Sequence, residues 1–168
     1  MSVTAPTDTA AVPGHVVVAE RGWATAGACL QLLGGVLLFL SVFLPWLVLG
    51  VGISITGDKL GNAGAIVASN TIFIVVGTAA VLVACIVLAN ANAPAVLGQF
   101  GLLAGVVALI AAVLRYDAVQ NQVAVAKTLV GSSAGVGFGW WVCFVAGLLI
   151  WAGGLTARAG IRTGSWRA

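Results

Sequence analysis

The sequence predicts an all-α integral membrane protein, a four-transmembrane-helix bundle with two extracytoplasmic loops that carry short β structure. Three observations predict this fold. Of the 168 residues, 61% are hydrophobic and only 7% are charged, whereas soluble domains carry about 25% charged residues. Four long apolar segments contain no charge at all, and aromatic residues stand at the ends of most of them, where tryptophan and tyrosine prefer the membrane interface. Lipid must therefore be the solvent of most of this chain.

The first helix is predicted over about residues 23–48. The uncharged run 24–44 would span roughly 31 Å as a helix, about the thickness of a bilayer's hydrocarbon core. Trp23 and Trp46 flank this run. Pro45 lacks a backbone donor, so it should either end the helix or kink it before a continuation to Leu49.

The first long loop, residues 50–70, is predicted to contain a short strand. Val51, Ile53 and Ile55 alternate with small or polar residues, and this period of two is typical of a strand. A turn is expected at residues 57–59. Residues 63–68 form either a second short strand or the approach to the next helix.

The second and third helices are predicted over residues 71–90 and 95–115. Asn70 is a suitable N-cap for the second helix, and two asparagines and a proline at positions 90–94 predict a tight turn between the two. The third helix should end near Arg115, whose long side chain is expected to extend toward the interface.

The fourth helix is predicted over residues 138–157, after a second long loop at 118–137. The glycine-rich stretch 131–139 is expected to be a flexible connection, because it lacks the lysine-serine ending of a phosphate-binding loop. Residues 158–168 form a basic tail, and residues 1–22 are too polar to pack and are expected to be disordered.

The basic residues predict that both termini are cytoplasmic and that the protein lies in the plasma membrane. Four spans put both tails on one side, where the arginines are Arg21, Arg158, Arg162 and Arg167. The other side would carry Lys59, Arg115 and Lys127. The clustering of three arginines directly after the last helix favours a cytoplasmic location for that end.

Small residues recur at helical spacing and predict where helices meet, because close approach drives helix association in lipid. The predicted helix-packing or partner-contact residues are Gly101, Gly105, Gly139, Gly147 and Gln31. Such rows pack either the bundle itself or a partner helix. Gln31 should bond to Thr78 or to a backbone carbonyl, or alternatively contact a substrate. The predicted interfacial anchors are Trp23, Trp46, Tyr116, Trp140 and Trp141.

The residues that catalysis in a membrane would need are missing from the predicted spans. All four acidic residues (Asp8, Glu20, Asp58 and Asp117) lie outside them, His15 is the single histidine, and the three cysteines form no CxxC pair. We therefore expect no enzyme activity, no metal and no cofactor. A net charge of +3 without a basic cluster also predicts no nucleic-acid partner.

The chain resembles a set of small four-span membrane proteins of actinobacteria. The resemblance is carried by Phe43-Leu-Pro45-Trp46 at the end of the first helix, the Gly/Ser-rich loop after it, and Gly135-Val-Gly-Phe-Gly139-Trp140 at the start of the fourth. It covers most of the chain and implies no catalytic residue. The topology is also similar to that of claudin-type proteins, whose first outer loop builds a small sheet. The tryptophan and cysteine pair of that loop are absent here.

Two functions follow from these expectations. The first is a non-catalytic accessory or interaction subunit of a larger respiratory or cell-envelope membrane complex, with membrane lipids and other integral membrane proteins as partners. The second is an oligomeric small-molecule or lipid transporter or channel, in which Gln31, Asn70, Thr71 and Thr78 line a path. A transporter should group these polar residues around a wet cavity, whereas a subunit should bury them singly and turn its glycine rows outward.

Overall fold

The computed structural model describes residues 16–19, 21–50, 53–57, 70–90, 96–130, 134–159 and 161–164. Four helices dominate this part of the chain: α1 (Arg21–Ser41), α2 (Asn70–Ala89), α3 (Val96–Val130) and α4 (Phe138–Ala159). Five short strands accompany them: β1 (Val16–Ala19), β2 (Pro45–Leu49), β3 (Ser54–Thr56), β4 (Ala134–Val136) and β5 (Ile161–Gly164).

All four helices are long enough and apolar enough to span a bilayer, which confirms the prediction of four long apolar helices. The apolar segments run over Gly22–Ser41, Asn70–Ala89, Gln99–Thr128 and Phe138–Ala159. Each exceeds the minimum of about 17 residues that a hydrocarbon core demands. The second of these segments has the highest mean hydropathy, 3.0.

The helices approach one another through glycine, because a glycine lets two backbones come close without a side chain between them. Helix α1 packs along both α4 and α2. A Cβ atom on Gly27 would lie 2.6 Å from the carbonyl oxygen of Gly153 in α4, and one on Gly35 would lie 2.8 Å from the carbonyl oxygen of Gly77 in α2. Helix α1 is therefore held between its two neighbours by backbone contacts that a larger residue would prevent.

Helix α1 ends earlier than predicted, at Ser41 rather than near residue 48. The amides of Phe43 and Leu44 close a turn on the carbonyls of Leu40 and Ser41, and Pro45 then opens strand β2. The physical reason is that proline removes a helical donor and that the β-branched and aromatic residues after it find strand partners. The helix therefore ends before Pro45 and does not continue through it as a kinked helix.

A three-stranded antiparallel sheet caps this end of the bundle in the order β3-β2-β4. Leu47 pairs with Ile55 on one side and with Val136 on the other. Strand β3 corresponds to the short strand that was predicted at residues 51–55, and it lies slightly later in the chain, at Ser54–Thr56. Strand β4 lies in the glycine-rich stretch that was predicted to be a flexible connection. Most of the predicted turn at 57–59 and all of residues 63–68 lie outside the described residues.

Helix α3 is much longer than predicted and replaces most of the second loop. It runs to Val130, about 52 Å at 1.5 Å per residue, well beyond a hydrocarbon core of about 30 Å. No glycine or proline interrupts residues 106–130. Val119, Val123 and Ala126 are buried on one face of the extension. The apolar residues at helical spacing therefore continue α3 through most of the region that was predicted to be a loop.

A two-stranded sheet joins the segment before α1 to the segment after α4. Strand β1 pairs antiparallel with β5, with Val18 opposite Arg162 and Ala19 opposite Ile161. The sequence prediction of a disordered tail over residues 1–22 did not include this strand. Residues 1–15, residue 20 and residues 165–168 lie outside the described part of the chain.

Candidate functional site

The four glycines predicted for helix packing or partner contact all lie inside the bundle. Gly101 faces the side chain of Gln31, and a Cβ atom on Gly105 would lie 2.5 Å from the backbone nitrogen of Trp151. Gly139 lies against the indole of Trp46, and Gly147 lies against Leu109. All four are buried, so these glycines pack against other residues of the same chain.

Gln31 lies where three helices meet. Its side chain, on α1, is only 1% exposed. Gly101 of α3 and Gly153 of α4 both face it, and a Cβ atom on Gly153 would lie 2.8 Å from its Cγ atom. The absence of side chains on these two glycines is what leaves room for the glutamine within the bundle.

A groove between α2 and α3 reaches Gln31 from the outer surface of the bundle. Its volume is about 280 Å³. Gln31 is the single polar residue among the described residues that line it, and small side chains, including Ala79, Ala80 and Ala104, make up much of the wall. Leu103 borders the groove and is 68% exposed. The groove is thus an apolar cleft with one amide side chain among its walls.

The polar residues of the predicted transport path are not brought together. Thr71 and Thr78 are exposed on α2, and neither lines the groove. The Nδ2 group of Asn70 donates a hydrogen bond to the carbonyl oxygen of Gly57, beside the three-stranded sheet. Of the four residues, Gln31 is the one that reaches the groove.

The five predicted interfacial aromatic residues divide into two groups. Trp23 and Trp141 are about half exposed, as expected of residues at a membrane interface. Trp46 is fully buried, and its Nε1 group donates to the carbonyl oxygen of Ser41 at 2.7 Å. Trp140 is nearly buried, with Nε1 donating to the carbonyl oxygen of Ala112 at 2.9 Å. Its ring lies 4.6 Å from that of the partly buried Tyr116.

Arg115 is the residue whose role the sequence reasoning missed. It was expected to extend toward the interface, but its side chain is fully buried. The Nη2 group donates to the carbonyl oxygen of Gly57 at 3.4 Å, and the guanidinium carbon lies 5.7 Å from the centre of the Trp46 ring. A signal was present in the sequence, because Arg115 stands four and eight residues before Val119 and Val123 and so shares their buried face.

The carbonyl oxygen of Gly57 joins three parts of the fold at the sheet end of the bundle. It accepts hydrogen bonds from Arg115 of α3 and from Asn70 at the start of α2. The amide of Gly57 in turn donates to the carbonyl oxygen of Leu44 at 3.2 Å. The buried arginine therefore ties the loop after β3 to the helices below it, and a cation over an indole ring adds to that attachment.

Among the residues that the structure describes, no three His, Cys, Asp or Glu residues lie together. Cys29 and Cys85 are exposed free cysteines, and Cys143 is buried. The groove between α2 and α3 is therefore the candidate functional site in the described part of the chain.

Comparison with known proteins adds no assignment. No protein-family model, no curated protein and no solved structure matches this chain. The resemblance to four-span actinobacterial membrane proteins therefore stays a prediction. Function has to be argued from the groove, the exposed helix surfaces and the charges.

Proposed function

We propose that this chain is a non-catalytic interaction subunit of a larger bacterial membrane complex of the respiratory or cell-envelope kind. The α2–α3 groove would receive a transmembrane helix of the partner protein. The observation that carries the proposal is this groove, an apolar cleft with small-residue walls that opens toward lipid and reaches a buried amide. We also propose that both termini are cytoplasmic, because basic residues next to membrane spans favour the cytoplasmic side.

The exposure of α2 supports a partner on this side of the bundle. Only 22% of the α2 span is buried within the chain, compared with 44% of the α4 span. Helix α2 also carries no charged residue. Helix α2 is thus apolar, and the rest of the chain covers little of it. Such a helix suits a position between two membrane proteins.

The walls of the groove suit a helix as occupant. Ala79 and Ala80 on α2 and Gly101 and Ala104 on α3 are small, and small residues let helix backbones approach closely in lipid. Gln31 is only 1% exposed, so the contact with a partner helix would rest on the small and apolar residues of the walls.

A second candidate function, lipid or small-molecule transport by an oligomer, rests on the same groove. An apolar cleft of about 280 Å³ could hold part of an acyl chain. The separate positions of Asn70, Thr71 and Thr78 favour the interaction subunit, because a transport path would group them around a common cavity. Of the predicted glycines, Gly101 borders the groove, whereas Gly105, Gly139 and Gly147 pack inside the chain and do not form the docking face in this proposal.

Filling the groove is expected to release the partner. Ala79→Phe places a ring in the cleft from an exposed position on α2, so recovery of the stoichiometric partner should fall at least about tenfold, a loss of about 1.4 kcal/mol of binding. The measurement is affinity purification from native membranes through a tag on the C-terminal tail, with quantitative mass spectrometry and native sizing.

Leu82→Phe is the matched control for this test. Leu82 lies on the same helix, is 57% exposed and does not line the groove, so its replacement should leave the partner bound. Retention of the partner by Ala79→Phe would show that the groove is not the docking face. Recovery of wild-type protein only as a homo-oligomer, or alone with bound lipid, would contradict the subunit proposal and favour transport.

A further inference from the structure

Trp151 lies deep within a membrane span, unlike tryptophans at the ends of spans. Helix α4 ends at Ala159, so the Cα atom of Trp151 lies about 12 Å along the helix axis from that end, at 1.5 Å per residue. The other end, at Phe138, is about 20 Å away on the same scale. Since a hydrocarbon core is about 30 Å thick, Trp151 is well inside it.

The neighbouring helix indicates a similar depth. The backbone of Trp151 lies against Gly105 of α3, where an added Cβ atom would be 2.5 Å from the Trp151 nitrogen. The apolar segment of α3 begins at Gln99, and Gly105 lies about 9 Å into it. Both helices therefore place Trp151 at a level where tryptophan, which prefers the membrane interface, is not expected.

The indole of Trp151 is exposed on the outer surface of the bundle. Leu148 and Leu155, at helical spacing from it, are also exposed and form one outer face with it. A side chain in a helix leaves its Cα atom toward the helix N-terminus, which for α4 is the end next to β4 and the three-stranded sheet. The indole thus extends away from the nearer end of α4 and toward the centre of the span.

Nε1 of Trp151 has no hydrogen-bond acceptor among the residues that the structure describes. By contrast, the indole N–H groups of Trp46 and Trp140 donate to the carbonyl oxygens of Ser41 and Ala112. A donor without an acceptor is unfavourable in hydrocarbon, because no water replaces the missing bond. The position of Trp151 therefore calls for an acceptor from outside the chain.

Phospholipids do not supply an acceptor at this depth. Their polar atoms lie in the headgroup and interfacial regions outside the hydrocarbon core, and acyl chains have no acceptor atoms. A helix of another protein carries side chains at every depth. Serine, threonine, asparagine and glutamine side chains form hydrogen bonds between helices in membranes, so a helix with one of these residues at the same depth fits the donor.

We propose that the α4 face formed by Leu148, Trp151 and Leu155 binds a transmembrane helix of another protein. That helix presents a side-chain oxygen of serine, threonine, asparagine or glutamine, which accepts a hydrogen bond from Nε1 of Trp151. Trp151 does not line the α2–α3 groove. This second contact is therefore separate from the groove and does not depend on the function proposed for it.

Site-specific photo-crosslinking in native membranes tests this contact on the full-length protein. Benzoylphenylalanine takes the place of Leu155, because a helical side chain covers the surface one turn toward the N-terminus, where Trp151 lies. Irradiation should give an adduct with a different membrane protein, which mass spectrometry identifies. Trp151→Phe keeps an aromatic ring and removes the donor, so it should lower the adduct yield about threefold to tenfold, the equivalent of about 0.6–1.4 kcal/mol.

Three controls make the result decisive. The same photo-crosslinker in place of Leu40, which is exposed on α1, reports on another face, and its adducts should not change with Trp151→Phe. Trp141→Phe removes an exposed indole near the start of α4, where water and headgroups supply acceptors, and should leave the yield from position 155 unchanged. Helical circular dichroism and a monodisperse elution profile identify variants that are folded.

Three results would overturn the proposal. One is an unchanged adduct yield in a folded Trp151→Phe variant. Another is an adduct formed only between two copies of this chain, which would make a second copy the occupant of the face. The third is cross-linking to lipid alone.

Discussion

Gly105→Leu is expected to separate α3 from α4 and to lower the free energy of unfolding by about 3 kcal/mol or more. This is at or above the upper end of the usual range for an overpacked interior. A Cβ atom at position 105 would lie 2.5 Å from the backbone nitrogen and 2.6 Å from the Cα atom of Trp151. The obstacle is the backbone of α4, which cannot move aside as a flexible side chain could. The midpoint of unfolding in a titration with sodium dodecyl sulfate, followed by helical circular dichroism, measures the effect.

Gly22→Leu is the matched control. It makes the same substitution in α1, where nothing lies within 4 Å of the added Cβ atom, so its unfolding midpoint should stay near that of wild type. If Gly105→Leu unfolds at the wild-type midpoint as well, the close contact between α3 and α4 at Trp151 does not exist.

The same reasoning applies to Gly101→Leu, which would displace Gln31. Loss of a partner in either variant would therefore not distinguish a docking defect from a folding defect.

Trp46→Ala is expected to lower the free energy of unfolding by about 3–5 kcal/mol, the range for removing a buried aromatic residue. The indole is fully buried and contacts parts of α1, α2 and α3. Its ring lies 5.7 Å from that of Phe73 on α2 and beneath the guanidinium group of Arg115 on α3. Its removal leaves a cavity and takes away the aromatic face beside a buried cation. The variant lacks one tryptophan, so its tryptophan fluorescence cannot be compared directly with that of wild type. Unfolding is therefore again followed by circular dichroism.

Two further variants separate the causes. Trp46→Phe keeps an aromatic ring and loses the hydrogen bond to the carbonyl oxygen of Ser41. Its effect should be smaller than that of Trp46→Ala but should still include about 1 kcal/mol for that bond. Trp23→Ala removes a tryptophan that is 49% exposed and should leave the midpoint nearly unchanged. Equal effects of Trp46→Ala and Trp23→Ala would contradict the buried position of Trp46.

The helices could be predicted from sequence because lipid imposes a simple rule. An unbroken apolar run long enough to cross the bilayer has no stable alternative to a helix, since each backbone polar group must find its partner within the segment. Helix α2 was predicted over 71–90 and is observed at Asn70–Ala89. Helix α4 was predicted over 138–157 and is observed at Phe138–Ala159. Where the rule stops applying, outside the hydrocarbon core, the predictions differ from the structure.

The extension of α3 shows what the composition of a segment cannot decide. Residues 118–130 are mildly apolar and could form either a loop or a helix by local preference. The burial of Val119, Val123 and Ala126 stabilises the helix. This burial depends on which other parts of the fold pack against the segment. Arg115 follows the same logic, because its position within a buried face becomes apparent only when the helix is known to continue.

The four apolar helices follow from composition and from the length of the apolar segments, since a charged fraction of 7% leaves too few charges for a water-exposed surface. The recurrence of small residues at helical spacing is also evident without a structure. The direction in which those residues face depends on the fold, because a helical row of glycines fits the chain's own bundle and a partner helix equally well. The structure also decided the pairing of β1 with β5 and of β2 with β4. Contacts between distant segments depend on the arrangement of the helices between them, and no local pattern encodes that arrangement.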